Sequence, residues 1–235
     1  MTDSVLRLVI LTLAALCVHL WSASCASAWQ GKAAANQQRT YQPGEIHLGT
    51  SRAFIHVGKT GFGHEHGVVG RIKRGSVLLD AIADAGVIEF DMTTFVADTA
   101  AARAYVGLEG KTDDQTQRQA TANMLGAEVL NVDRYPTATF RIKSAQRLDR
   151  PSRRKLPQYR LDGEFTLHGE QRPLTVVADV EERGGWLHLR GGFSILQSEY
   201  GMQPYTRAFG AVGVADKLNI WGDLWIAKQR LMATE

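Results

Sequence analysis

The stretch "GFGHEHGVVG", residues 61–70, sets His64 and His66, two of the chain's seven histidines, on either side of Glu65. In a strand, residues two apart share a face, so both imidazoles can point the same way. Two imidazoles on one face become a metal site once a third ligand arrives, and Asp162, Glu164 and His168 are candidates for it. Such a centre would bind a metal or activate water for hydrolysis. Two other readings fit the same residues: polar contacts beside the headgroup of a bound ligand, or ordinary turn histidines. The spacing of Gly61, Gly63 and Gly67 describes a bent, tightly turned backbone and favours the last.

Other chemistry leaves no trace. The chain has no G-x-S-x-G elbow, no His-Glu-x-x-His, no phosphate-cradling glycine loop and no G-x-G-x-x-G. No catalytic residue is assigned, no cofactor is implied, and the chain reads as a binding protein rather than an enzyme.

The elements that must carry these residues are strands. From Tyr41 onward the dominant signal is period-two alternation. Ile88, Phe90 and Met92 oppose Glu89, Asp91 and Thr93; Ala138, Phe140 and Ile142 oppose Thr139 and Arg141. Leu161, Gly163, Phe165 and Leu167 oppose Asp162, Glu164 and Thr166, while Leu218, Ile220, Leu224 and Ile226 oppose Asn219, Trp221, Asp223 and Trp225. Further strands are predicted over 52–58, 67–73, 76–80, 173–182 and 186–196. Gly, Pro, Asn and Asp separate most of these runs, so neighbours can pair antiparallel. One segment differs: Thr112, with Gln115 three places on, is a capping-box pattern, and the run stops at Gly126. That helix is too polar for a core and belongs across the outside or one mouth of the sheet. About nine strands with one apolar face each require two packed sheets or one closed barrel, and a barrel also removes the exposed edges.

The N-terminus has a separate purpose. Residues 1–7 are short with one Arg, Leu8–Trp21 is apolar, and Ala26-Ser27-Ala28 offers an A-x-A cleavage site, which is the pattern of a secretory signal peptide. The apolar run falls short of the roughly 20 residues that span a bilayer. Cys25 raises a lipoprotein alternative, but Ser22-Ala23-Ser24 lacks the leucine usual upstream of a lipidated cysteine. The expected organisation is a signal peptide over 1–28, a flexible lead over 29–40 and one barrel domain over 41–230. Cleavage after Ala28 removes both cysteines, Cys17 and Cys25, which excludes a disulfide framework, a thiol enzyme and a cysteine zinc site. The net charge of +3 is spread along the chain, and the densest basic run, "RPSRRK", contains Pro and reads as a solvated loop, so nucleic acid is not an expected partner.

Three stretches resemble the YceI family of exported bacterial proteins. "ANMLGAEVLNVDRYPTATFRI" (122–142) is similar to the family's leucine, hydrophobic-Leu-Asn step and Tyr-Pro-x-Ala-x-Phe. "LDGEFTLHGEQRPLTV" (161–176) resembles its Gly-x-Leu-Thr-Leu-x-Gly-x-x-x-Pro-Val. "SRAFIHVGKTGFGHEHGVVGRIKRG" (51–75) resembles its first strand, glycine-bearing bend and Gly-x-Phe turn. "FVADT" (95–99) adds a shorter match. The resemblance covers roughly 41–227. It implies an all-β, lipocalin-like antiparallel β-barrel of about eight strands with one or two short external helices. It further implies a periplasmic or secreted protein whose lumen holds a long isoprenoid or other lipid, with transient membrane contact and a homodimer both compatible. The segments 99–123 and 198–213 depart from the family pattern, and either can reshape or cover the barrel mouth.

On that reading the ligand-lining candidates are Phe54, Phe90, Phe140, Phe165, Leu167, Leu189 and Ile220, about half of them expected to be plain core. Tyr200, Tyr205 and Phe209 are lid candidates. Trp221 and Trp225 share a face that is either the outer wall or a dimer contact.

Overall fold

The computed structural model describes residues 39–228. The expected signal peptide, the lead up to residue 38 and the last two positions of the expected domain lie outside the described residues.

Alternating sequence becomes wall. The strands are β1 (Arg52–Gly61), β2 (His66–Val77), β3 (Gly86–Ala97), β4 (Thr137–Arg147), β5 (Gln158–Leu167), β6 (Glu170–Arg183), β7 (Trp186–Leu196), β8 (Thr206–Arg207) and β9 (Val212–Ala227). Each long strand pairs antiparallel with its neighbours, and β1 pairs with both β2 and β9, which closes an eight-stranded barrel. The two-residue β8 is tacked onto β9. Closure leaves no long edge with unpaired backbone groups.

The inward faces are those the alternation marks. Ala138, Phe140 and Ile142 of β4, Leu161, Phe165 and Leu167 of β5, and Leu224 and Ile226 of β9 are buried. The opposite faces carry ion pairs such as Lys143–Glu164 and Arg160–Asp162. An outer wall bearing charge at mid-strand is unlike the apolar band of a membrane-spanning barrel.

Two expectations are corrected. The run 76–80 is no separate strand: β2 continues to Val77 and the chain then turns. The helix over 112–125 is capped one residue later than the capping box suggested. Asp113 is the N-cap, its carboxylate accepting from the backbone N–H groups of Gln115 and Thr116, two of the helix's unpaired first-turn donors. This helix, α2 (Asp114–Leu125), ends at Gly126 and follows a one-and-a-half-turn helix, α1 (Ala100–Tyr105), that Thr99 caps. Neither helix is long and apolar enough to cross a membrane.

At one end of the barrel, residues 44–47 wedge between β2 and β9: Val77 N–H donates to Gly44 O, Ile46 N–H to Gly75 O and His47 N–H to Trp225 O. Ile46 is 1 % exposed and plugs that end with Val77, Ile142 and Ile226. Partway along β2 the wall is pinched where Gly70, opposite Ala53, lies against the Phe95 ring; a Cβ there would stand 2.2 Å from it. A three-residue offset in the β2–β3 register between Arg71 and Val69 turns Phe95 inward at this point.

Candidate functional site

Inside the unplugged half is a cavity of about 740 Å³. This lies within the range of small-molecule sites. Its walls come from alternate positions of the strands: Ala53, Ile55 and Val57 of β1, Phe90, Met92 and Phe95 of β3, Phe165 and Leu167 of β5, and Leu218 and Ile220 of β9. No charged side chain stands among these wall residues. The polar groups gather at the rim, where exposed Asp113, Gln115, Thr116 and Gln119 of α2 face His64 of the β1–β2 turn. Since these rim residues are exposed, the cavity reaches water at this end.

A floor of aromatic rings bounds the cavity below. Phe165 meets Phe90, Phe193 and Tyr200 edge to face, with ring centroids 6.2, 5.8 and 5.8 Å apart. Under the floor a second space of about 50 Å³ is lined by Ile88, Phe140, Leu161 and Leu189. At about 30 Å³ per water-sized group it holds one or two such groups and no chain.

The sequence-predicted residues therefore separate. Phe90, Phe165, Leu167 and Ile220 line the large cavity. Phe140 and Leu189 lie beneath the floor and are core. Phe54 is a correction: its side of β1 carries Arg52 and His56, so it points outward, where Tyr105 of α1 stacks on it at 3.7 Å between ring centroids. The alternation of "RAFIHV" already placed Ala53, Ile55 and Val57 on the other side, and aromatic character was the wrong guide.

The lid candidates part in the same way. Tyr200, 2 % exposed, packs edge to face on Phe165 from the turn after β7 and lines neither space, and burial raises its hydroxyl pKa. Tyr205 spans the mouth, its hydroxyl accepting from Asn123 of α2 at 3.2 Å. Phe209 is fully exposed and covers nothing.

His64 and His66 are not neighbours on one strand face. His64 sits in the turn before β2, and His66 is the first residue of β2. His66 Nδ1 bonds the buried carboxylate of Asp98 at 2.6 Å. Asp98 also accepts from Gly67 N–H and the Arg103 guanidinium. Burial alone would raise its pKa, but the bond from His66, with those from Gly67 and Arg103, holds it below the usual carboxylate value. The three candidate third ligands are engaged on other surfaces: Asp162 with Arg160 and Thr175, Glu164 with Lys143 and Gln171, and His168 donating from Nδ1 to Tyr200 O. Among the described residues no group of three His, Cys, Asp or Glu side chains is placed to hold a metal. The histidine stretch is instead a knot that ties the mouth to α1.

Sequence reasoning missed Met92, Phe95, Phe193 and Leu218 on the walls, and Ala120 and Met124 on the underside of α2. Ala120 and Met124 are four residues apart, the spacing of one helix face, and that was the available signal. Phe95 carried none, because the register offset reverses its parity. Trp221 and Trp225 lie on the outer wall, where His188 stacks on Trp225 at 4.1 Å.

A family model described as a YceI-like domain matches residues 47–224. Among solved structures, Burkholderia cenocepacia BcnA is similar at 16 % identity and a TM-score of 0.51, covering 77 % of this chain and 98 % of its own. Weaker likenesses include a polyisoprenoid binding domain from Saccharophagus degradans implicated in plant cell wall breakdown, at 10 % identity and a TM-score of 0.49 over 79 % and 98 % of the two chains. The YCEI protein of Campylobacter jejuni is similar at 11 % identity and 0.42, over 85 % and 96 %. No curated protein matches the chain.

Proposed function

The chain belongs to the YceI-like family, and from that membership and its cavity we propose that it is an exported carrier that shields one isoprenoid or similarly long lipid from water, without catalysing a reaction. The observation that carries this reading is the 740 Å³ apolar cavity, closed below by rings and open above through a polar rim. A prenyl chain exposes many CH and CH2 groups, each favouring burial by about 0.8 kcal/mol, and needs no hydrogen bond to be held. Headgroup contacts then fall to the rim, to His64, Gln119 and their neighbours.

Size narrows the ligand. At about 30 Å³ per water-sized group, about 740 Å³ takes on the order of 25 non-hydrogen atoms, or about five isoprene units. At about 0.3 kcal/mol per atom, such a ligand gains on the order of 7 kcal/mol net, a micromolar affinity suited to a carrier that must also release. Export follows from the signal-like N-terminus, and a periplasmic carrier is the setting in which such shielding is needed.

Mass spectrometry of protein expressed in a bacterial periplasm, under native conditions and after organic extraction, tests the reading. The expected result is loss of the first 28 residues and one prenyl or comparable lipid adduct. Delipidated protein without affinity for any prenyl chain would overturn it.

A further inference from the structure

Three large apolar side chains among the described residues stand out in water: Phe62 at 86 %, Ile82 at 82 % and Phe209. Ile82 belongs to the β2–β3 turn at the plugged end. Phe62 and Phe209 belong to the mouth, and their loops are joined: Phe62 N–H donates to Ala211 O at 2.9 Å, and Gly61 pairs with Val212. The next residues inward, Gly63 and Val212, already line the cavity. Two rings thus project into solvent beside the opening through which any ligand must pass.

Their presentation is built. Gly63 N–H donates back to Thr60 O, and Ala211 N–H to Ala208 O. Ala208 and Phe209 are both left-handed, at φ 51° and 54°. Holding two consecutive non-glycine residues there is unfavourable, and such strain gathers at sites of function.

We propose that Phe62 and Phe209 dock the barrel mouth onto a lipid bilayer, inserting into the headgroup boundary so that ligand passes between membrane and cavity without crossing water. This rests on the carrier reading. A protein partner fits less well, because two single side chains on narrow loops do not present the roughly 800 Å² per partner of a stable complex. A bilayer needs no complementary shape and accepts individual apolar side chains. Charge is a minor contributor: Lys59 and Arg207 are exposed nearby, but Glu65 bonds His56 and Glu128 acts on Arg207. Insertion, not charge, supplies the affinity.

The test is flotation of the purified protein with phosphatidylcholine vesicles, without and with one-fifth phosphatidylglycerol, at low and molar salt. Phe62→Ser and Phe209→Asn are compared with the parent; asparagine tolerates the left-handed backbone. We expect the parent to float with both vesicle types and in molar salt. Each substitution should weaken binding about tenfold or more, in line with full burial of a phenylalanine, and the pair about a hundredfold. Affinity for a C20 prenyl alcohol, measured in parallel, should stay within twofold. A parent that binds the alcohol but not vesicles, or a double variant that floats as well as the parent, overturns docking while leaving the carrier intact. Concentration-dependent dimerisation lost in the double variant, with no flotation, overturns it in favour of an interface between copies. Flotation lost in the variants without any prenyl binding supports docking and removes the carrier reading.

Discussion

At the scale of single residues, Phe165 decides how far a chain can enter. It touches Phe90, Phe193 and Tyr200 at once and, with Phe90 and Phe193, lines both the large cavity and the small space beneath it. Phe165→Ala is expected to join them and shift preference toward prenyl alcohols one or two units longer, read by titrating C10 to C40 alcohols. It should also cost about 3–5 kcal/mol of stability, so Phe165→Leu is the gentler companion. Phe54→Ala, by contrast, should leave ligand affinity unchanged and lower the melting temperature, because its ring packs under α1. Asp98 carries a pH dependence. Burial pushes its pKa up, but the bonds from His66, Gly67 and Arg103 outweigh burial and the folded value is depressed. A depressed carboxylate contributes stability above its unfolded pKa of about 3.9 and loses it as pH falls through the lower folded value. The gap in melting temperature between the parent and Asp98→Asn should therefore be full at neutral pH and close below about pH 4. A gap that is constant across pH 3–7 would show that the knot acts by shape alone.

At the scale of elements, α2 is the part of the site set least deeply into the fold. None of its residues is fully buried; Ala120, Met124 and Leu125 pack on the core from its underside, and its polar ties include the Asp113 cap, the Ala97 N–H bond to Thr121, and the Asn123–Tyr205 bond across the mouth. Tyr205→Phe removes only the last of these. It should speed prenyl release several-fold in stopped-flow exchange while moving the melting temperature by no more than a degree or two. Asp113→Ala removes a cap worth about 1 kcal/mol and should loosen the whole helix, raising both exchange rate and amide hydrogen exchange over 114–125. The helix itself was legible, since a polar run bounded by a capping-box pattern and a glycine has few alternatives. Its placement was narrowed only to the outside or one mouth of the sheet, and the choice between the two was open. That depends on where β3 ends in three dimensions, which a local pattern does not encode.

At the scale of the molecule, the barrel divides labour along its axis. The plugged half, with Ile46, Ile142 and Ile226 fully packed, supplies stability, and the open half is left hollow. An unfilled apolar cavity weakens its own lining, because atoms facing a void lack partners on one side. Ligand should then stabilise the fold: at a concentration 100 times its dissociation constant, a prenyl alcohol should add about 2.7 kcal/mol, read as a melting shift of several degrees. No shift with any chain length would argue for a barrel that acts through its surface instead.

By itself the sequence determined the wall. Period-two alternation gave which side of β3, β4, β5 and β9 faces inward, because side chains of a strand have no other choice of face, and the resemblance to the YceI family named the closed barrel those faces imply. Tertiary structure alone decided the room inside. Whether Phe90, Phe140 and Phe165 are lining, core or floor depends on their height along the barrel axis, set by strand stagger and by the offset at Phe95, and three inward phenylalanines look alike in one dimension. The histidines met the same limit. Their spacing suggested a shared face, but the turn after β1 and the buried carboxylate of Asp98, 32 residues away from His66, made one of them a structural tie. Contacts so distant in sequence are chosen by how the strands close, and closure is a property of the whole sheet.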